Sequence, residues 1–205
     1  MRWSFVHALL CIVTGAVSYV LQSRWPLALV GTSSLLFFFI TARTGQKRLG
    51  GIGYANAVTL VRLFVLFGVA TLFGTAWGFA LVLALDGLDG FLARRFAESS
   101  EFGAHFDMET DALFVALLSM TLAPSAPWVL VAGALRPVFV IARKFFVEVP
   151  VERRAPFARY AFGVAAWSMV AALAIKGPLL ALLTALSTLV LLVSFAPDFG
   201  SLRRA

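Results

Sequence analysis

Four aspartates occur in two pairs whose spacing could bring all of them to one point. Asp86 and Asp89 are three residues apart, and Asp107 and Asp111 are four apart. Residues at these separations share one face of an α-helix. If the pairs lie on antiparallel neighbouring helices, four carboxylates converge and need cations to offset their repulsion. Oxygen ligands favour a hard ion, Mg²⁺ or Mn²⁺, which is usually shared with substrate phosphates.

These aspartates lie in strongly apolar sequence. The set AVILMFWYC makes up 61 % of the 205 residues and charged residues only 13 %, whereas soluble domains are about 45–50 % apolar and about 25 % charged. The composition therefore predicts an integral membrane protein. An acidic residue inside the bilayer is costly and by default indicates function. The alternative, that the aspartates reach water from helix ends, does not explain the helix-face spacing of all four.

Eight apolar segments approach the length of about 20 residues that spans a bilayer. They cover roughly residues 4–21, 27–42, 58–74, 77–95, 104–122, 128–147, 157–175 and 179–195. The first segment also has features of a signal peptide, with Arg2 before it and small residues at Ala16 and Ser18. Because the apolar run continues past that point, we expect the helix to be retained. The expected fold class is all-α, a polytopic membrane helical bundle.

The net charge of +7 comes from basic residues at the ends of the apolar segments. They form no stripe of the kind that follows nucleic-acid phosphates, so we expect no nucleic-acid partner. If the N-terminus is cytoplasmic, all but three of the 17 Lys and Arg residues fall inside or at inner helix ends; Arg24 and Lys176 fall outside and Arg136 lies mid-span. This asymmetry predicts a multi-pass protein of the inner (plasma) membrane with its aspartates on the cytoplasmic side. The single cysteine, Cys11, excludes a disulfide framework.

Residues 86–111 read DGLDGFLARRFAESSEFGAHFDMETD. This resembles the signature of the CDP-alcohol phosphotransferase family, D-x2-D-G-x2-A-R-x8-G-x3-D-x3-D. All eight fixed positions are present, as Asp86, Asp89, Gly90, Ala93, Arg94, Gly103, Asp107 and Asp111. Upstream, Asn56, Thr59 and Arg62 resemble the entry P-N-x-x-T-x-x-R to the first core helix of the family, with Ala55 in place of proline.

The resemblance covers the last six apolar segments, which correspond to the six-helix core of the family. We therefore expect two extra N-terminal transmembrane helices in residues 1–50 and a catalytic membrane domain in residues 51–205. The resemblance also implies a homodimer.

An enzyme of this kind transfers a substituted phosphate from a CDP-linked substrate to an alcohol and releases CMP. The resemblance implies that Asp86, Asp89 and Asp107 hold one or two divalent ions, Mg²⁺ or Mn²⁺. Asp111 would take the proton from the acceptor hydroxyl and also contact metal. The implied CDP-binding residues are Asn56, Thr59, Asp89, Gly90, Ala93, Arg94 and Gly103.

Arginines are the candidates for binding the acceptor alcohol. Arg136 lies mid-span and Arg143 follows two turns later on the same face; Arg153, Arg154 and Arg159 follow in a cytoplasmic loop. Guanidinium groups bind phosphate in a fork, which favours CDP-diacylglycerol as donor and a phosphorylated acceptor such as glycerol 3-phosphate. Serine, choline or another free alcohol stays open as acceptor, because inner loops are basic in most membrane proteins.

Two other functions fit parts of this pattern. The first is a CDP-choline or CDP-ethanolamine transferase that acts on diacylglycerol. The second is a cation transporter with the aspartates as its ion site, although all four lie near one side of the membrane. His105 and Glu109 lie on the face opposite Asp107 and Asp111, and we expect them to pair with each other or to face a neighbouring helix.

Overall fold

The computed structural model describes residues 2–23, 25–36, 54–96, 101–146 and 156–201, with some side chains near helix ends left out. Within these ranges the chain is helical and contains no strand, which confirms the all-α prediction. The helices are α1 (Arg2–Leu21), α2 (Leu27–Leu36), α3 (Tyr54–Gly68), α4 (Ala76–Phe96), α5 (Glu101–Leu122), α6 (Leu130–Phe146), α7 (Pro156–Ala174) and α8 (Pro178–Ser201). A π-helical turn (Val69–Phe73) extends α3, and a 3₁₀ turn (Pro127–Val129) precedes α6.

Each predicted apolar segment coincides with one of these helices to within a few residues, except that residues 37–42 lie outside the described ranges. Helices α1, α7 and α8, and α3 with its π turn, are long and apolar enough to cross a membrane. Helix α4 is apolar over Ala76–Leu88, a stretch that includes Asp86, and its other charged residues follow that stretch. Helix α3 begins at Tyr54, earlier than expected, because its first turn is less apolar than the segment that follows.

The connections force neighbouring helices to run antiparallel. Only Gly74 and Thr75 separate the π turn from α4, and Gly74 adopts a left-handed conformation with φ of +62°. Its N–H donates to the carbonyl of Val69 at 2.6 Å, which satisfies one of the carbonyls exposed at a helix end. Gly177 has φ of +79° and precedes Pro178, the first residue of α8, a position that suits proline.

The bundle is built from three antiparallel pairs, α3 with α4, α5 with α6 and α7 with α8, while α1 packs across both α5 and α6. Its core contains fully buried side chains such as Leu66, Phe79, Leu117 and Met169. Large apolar side chains such as Trp77 are exposed on the outside. An apolar exterior around a packed core is expected where lipid is the solvent.

Helices α5 and α6 approach each other closely at Gly133. A Cβ atom on Gly133 would lie 2.9 Å from the Oγ atom of Ser119 and 3.1 Å from the Cα atom of Ala116. Backbone and short side chains on α5 cannot move away as a long side chain could. Gly133 therefore sets the α5–α6 distance, as small residues commonly do between membrane helices.

We expect Gly133→Ala to destabilise the protein by about 1–3 kcal/mol, the usual cost of overpacking. The matched control is Gly163→Ala on α7, where an added Cβ has no neighbour within 4 Å. Because alanine favours helix by about 0.5–1 kcal/mol over glycine, the control should be neutral or stabilising. Thermal unfolding of both variants in detergent measures the difference. Equal midpoints for the two variants would contradict the close approach at Gly133.

Candidate functional site

The candidate site lies at one end of the bundle because the helices alternate in direction. Helices α3, α5 and α7 begin at that end, and α4, α6 and α8 finish there. The aspartates of α4 lie in its C-terminal half, at and just after the end of its apolar stretch, and those of α5 lie in its first three turns. The antiparallel topology therefore brings together the two acidic pairs that are separated along the chain.

Three of the four aspartates converge as the spacing predicts. Asp86, Asp107 and Asp111 each offer a carboxylate oxygen, and these oxygens lie within 4.8 Å of one another. Asp107 and Asp86 are about one-third exposed, whereas the side chain of Asp111 is only 17 % exposed. The site thus has an open side and a more enclosed side, with Asp111 on the enclosed side.

A buried arginine joins the three carboxylates. The side chain of Arg62 on α3 is 2 % exposed and donates to Asp86, to Oδ1 of Asp107 at 2.9 Å and to Oδ1 of Asp111 at 3.2 Å. A guanidinium has five donors in one plane, so it can serve several carboxylates at once. The three contacts hold α3, α4 and α5 together at this end of the bundle.

Arg62 is a site residue that the sequence interpretation missed. It was expected to be one of many basic residues at inner helix ends, whereas the structure places it under the aspartates. A signal was present, because Arg62 belongs to the Asn56–Thr59–Arg62 motif. In addition, Arg62 lies within an apolar segment that is long enough to span a membrane, and an arginine in such a segment usually has acidic partners.

The donor set suits a hard divalent cation. Oxygen ligands on opposite sides of Mg²⁺ lie about 4.2 Å apart, twice the metal–oxygen distance of about 2.1 Å. Carboxylate oxygens within 4.8 Å of one another therefore need only small shifts to share an ion. Arg62 supplies one positive charge against three negative ones, which leaves a net negative site that attracts a cation. Asp86, Asp107 and Asp111 are the described residues that could hold it.

Several predicted site residues have no described side chain. Asp89, Gly90, Ala93 and Arg94 lie in the last turns of α4, beyond Asp86, and the structure gives only their helical backbone. Arg153 and Arg154 lie outside the described residues. These predictions stay untested.

The remaining predicted nucleotide-binding residues lie at the same end of the bundle. Thr59 is buried on α3, one turn before Arg62, and Asn56 precedes it by one further turn, partly buried. Gly103 is partly buried in the first turn of α5, one turn before Asp107. Each therefore lies on an element that carries a member of the aspartate–arginine cluster.

A cavity of about 350 Å³ opens beside the three aspartates. One wall is apolar, with Val115, Leu191 and Phe195 among its residues. Three further charged side chains line the cavity, namely Arg136 of α6, Arg159 of α7 and Asp198 of α8. Arg143, predicted to join Arg136, is not among the described residues that line the cavity.

Asp198 was not anticipated. It lies near the C-terminal end of an otherwise apolar segment, where an acidic residue normally faces water. The structure instead places it on the cavity wall with Arg136 and Arg159. The cavity thus contains charges of both signs in addition to the aspartate–arginine cluster.

Glu109 forms a separate polar contact on the opposite side of α5. It is 4 % exposed, and its Oε1 accepts a hydrogen bond from Nη2 of Arg136 at 3.0 Å. Nδ1 of His7 lies 3.8 Å from Oε2, and Nε2 of His105 lies 3.9 Å from Oε1. Glu109 therefore lies close to His105 on its own helix and also contacts neighbouring helices, the two arrangements that the spacing left open.

Comparison with protein families identifies the chain. Residues 52–196, well over half of its length, match the family model described as CDP-alcohol phosphatidyltransferase. Comparison with curated proteins and with solved structures gave no match. The matched range includes the complete aspartate motif and all of the cavity-lining residues named above except Asp198. As the motif predicts, the chain belongs to the CDP-alcohol phosphatidyltransferase family, and it is a multi-pass membrane transferase of substituted phosphate groups.

Proposed function

We propose that this protein transfers the phosphatidyl group of CDP-diacylglycerol to a small polar alcohol that carries phosphate, such as glycerol 3-phosphate, and releases CMP. The observation that carries the proposal is the position of Asp86, Asp107 and Asp111 beside a cavity that also contains Arg136 and Arg159. Acidic residues suit the diphosphate with its metal, and the arginines suit an anionic acceptor.

We also propose an arrangement in the membrane. Residues 51–205 form the catalytic domain, and residues 1–50 supply two added helices; the family match from residue 52 supports this boundary. The active site faces the cytoplasm of the inner membrane, a proposal supported by basic residues such as Arg95, Arg143 and Lys144 at the same end as the aspartates. The proposal of a homodimer rests on family resemblance.

On the donor side, Asp86, Asp89 and Asp107 would hold one or two Mg²⁺ or Mn²⁺ ions. Bound metal neutralises the diphosphate and the charge that develops on the departing CMP. The cytidine end would lie against Gly90 and Ala93 of α4, with Asn56, Thr59, Arg94 and Gly103 nearby. Small residues at positions 90 and 93 allow close approach to the helix backbone.

On the acceptor side, Asp111 would act as the general base. The acceptor oxygen forms a bond to the phosphorus of the phosphatidyl group, and the bond from that phosphorus to the bridging oxygen breaks. CMP leaves with the electron pair, and the hydroxyl proton passes to the Asp111 carboxylate. The limited exposure of Asp111 and its contact with Arg62 keep the carboxylate fixed beside the cavity.

Asp111→Asn should lower kcat for CMP release by about 100- to 10,000-fold, the usual contribution of a general base, with little change in folding. EDTA should abolish release by the wild-type protein, and Mg²⁺ should restore it. The assay is CMP release by protein in lipid vesicles that contain CDP-diacylglycerol.

The matched control is Thr110→Val, because Thr110 is the buried neighbour of Asp111 and its hydroxyl donates to the carbonyl of Phe106 in its own helix. Release that persists in Asp111→Asn would exclude Asp111 as the base. If the protein releases CMP from CDP-choline in the presence of diacylglycerol, but not from CDP-diacylglycerol with any acceptor, it is a CDP-choline type transferase instead.

Arg62 would hold the carboxylates in place before the metal arrives. Arg62→Met keeps a long side chain but removes the charge, so three carboxylates then repel one another. Removing one partner from a buried ion pair typically costs about 3–5 kcal/mol, and partial exposure of the aspartates reduces the expected loss here to about 3 kcal/mol or less. Because a cation would offset the same repulsion, Mg²⁺ should raise the unfolding temperature more in Arg62→Met than in wild type.

Thermal unfolding with Mg²⁺ and with EDTA measures this difference. Arg159→Met serves as control, since Arg159 lines the same cavity but is exposed. Equal Mg²⁺-induced shifts in wild type and Arg62→Met would show that Arg62 and the cation do not offset the same charge.

Asp198 favours a second candidate for the acceptor. A carboxylate beside two arginines complements a zwitterion, so serine or another amino alcohol with an anionic group also fits the cavity. The two candidates differ in the charge that faces Asp198. A phosphate-bearing acceptor without an amine gains nothing from it.

For glycerol 3-phosphate, Arg159→Gln should raise the acceptor KM about tenfold or more, because hydrogen bonds to charged groups contribute about 1.5–3 kcal/mol. Asp198→Asn should leave that KM unchanged or lower it, since it removes a repulsive charge. Rates of CMP release against acceptor concentration give both values. Activity with serine alone, lost in Asp198→Asn, would replace the phosphorylated acceptor with the amino alcohol.

A further inference from the structure

The Arg136 side chain joins two regions of the protein. On one side it lines the cavity beside the aspartates. On the other side its Nη2 donates to Oε1 of Glu109 at 3.0 Å. A guanidinium is planar and rigid, so a carboxylate bound at one nitrogen restricts where the remaining donors can point. The orientation of Arg136 toward the cavity therefore depends on where Glu109 is held.

Glu109 does not reach the cavity itself. It lies two residues from Asp107 and two from Asp111, which places it on the other side of α5, and it is absent from the lining of the cavity. Its carboxylate is almost fully buried. Arg136 both contacts Glu109 and lines the cavity, and so provides a route by which Glu109 can act on a molecule bound there.

A side chain of the N-terminal helix α1 lies beside this carboxylate, and α2 contacts that side chain in turn. His7 of α1 lies 3.8 Å from Oε2 of Glu109, and its Nε2 is hydrogen-bonded to Ser34 of α2 at 2.7 Å. Oγ of Ser34 also donates to the carbonyl of Val30 at 2.8 Å, so Ser34 accepts from His7. All three of His7, Ser34 and Glu109 are buried.

Further contacts fix α1 against the same part of α5 and α6. Ser4 is hydrogen-bonded to His105 of α5 at 2.9 Å. The ring of Phe5 packs edge-to-face against Phe145 of α6 and lies 5.8 Å from the Lys144 ammonium.

We propose that Glu109, buried beside His7, is a positioning residue that orients Arg136 for the acceptor, so that α1 and α2 influence the affinity of the cavity for an anionic substrate. This inference rests on the proposed function. It assigns to the added helices a role in acceptor binding.

The proposal predicts that disturbing Glu109 changes the KM for the acceptor but not the KM for the donor. Arg136 would contact the anionic group of the acceptor, away from the reacting hydroxyl, so misplacing it weakens binding of ground state and transition state alike. Such a change raises KM and leaves kcat nearly constant. Binding of CDP-diacylglycerol on the aspartate side should be unaffected.

The main variant is Glu109→Gln, which keeps the shape of the side chain and removes its charge. We expect an acceptor KM for glycerol 3-phosphate about tenfold higher, or more, with an unchanged KM for CDP-diacylglycerol. His7→Gln should raise the acceptor KM to a smaller extent. Cys11→Ala is the matched control, because Cys11 is buried one turn after His7 on the same helix and should leave both KM values unchanged.

A double variant tests whether the effect passes through Arg136. If it does, Glu109→Gln adds nothing to the acceptor KM of Arg136→Gln. A purely structural role for Glu109 would add its own effect, and it would raise the donor KM as well. If Glu109→Gln does not fold, as judged by thermal unfolding, His7→Gln alone and combined with Arg136→Gln takes its place.

The outcomes separate the two proposals. Wild-type protein that releases no CMP from CDP-diacylglycerol with any acceptor overturns the proposed function, and this inference falls with it. An active wild type whose acceptor KM is unchanged in Glu109→Gln and His7→Gln overturns this inference alone. Additive effects in the double variant, or equal changes for donor and acceptor, also overturn it.

Discussion

The contact of Arg62 with three carboxylates is the constraint on which the rest of the structure depends. Charges buried in a membrane protein must be matched by opposite charges, because neither lipid nor bulk water can offset them there. The three contacts join α3, α4 and α5. Shifting α3 by one residue would rotate Arg62 by about 100° around its helix and break all three contacts. The same charges that suit the site for a cation therefore fix the register of the helices.

Small residues decide where the space beside these charges lies. Gly133 lets α5 and α6 approach closely, and Gly133 itself lines the cavity, together with residues of α4, α5, α7 and α8. Its wall then combines an apolar part, suited to a lipid substrate, with Arg136, Arg159 and Asp198. In lipid the hydrophobic effect does not drive helices together, so their association depends on close contacts of this kind. The shape of the cavity depends on the same contacts.

The sequence predicted what is encoded within single helices. The apolar segments predicted the helices because span length is set by the bilayer, and the spacing of Asp107 and Asp111 predicted their shared face. The partners of Arg62, and the contacts of Glu109 with His7 and Arg136, were not predicted, because contacts between helices depend on packing that no local spacing encodes. Asp198 was missed for a related reason. Near the end of an apolar segment, the sequence alone does not distinguish an acidic residue that faces water from one that lines a cavity. The positions of the neighbouring helices are needed.

Helix α5 links both polar regions of the protein. Asp107 and Asp111 lie on one side, and Glu109, two residues from each, is turned by about 200° toward α1 and α6. A rotation or shift of α5 that changed one region would therefore change the other. Arg136 extends this coupling, because it contacts Glu109 on one side and lines the cavity on the other. The contacts of His7 with Glu109 and of Glu109 with Arg136 thus link α1 to the cavity, even though α1 contributes no side chain to its described lining.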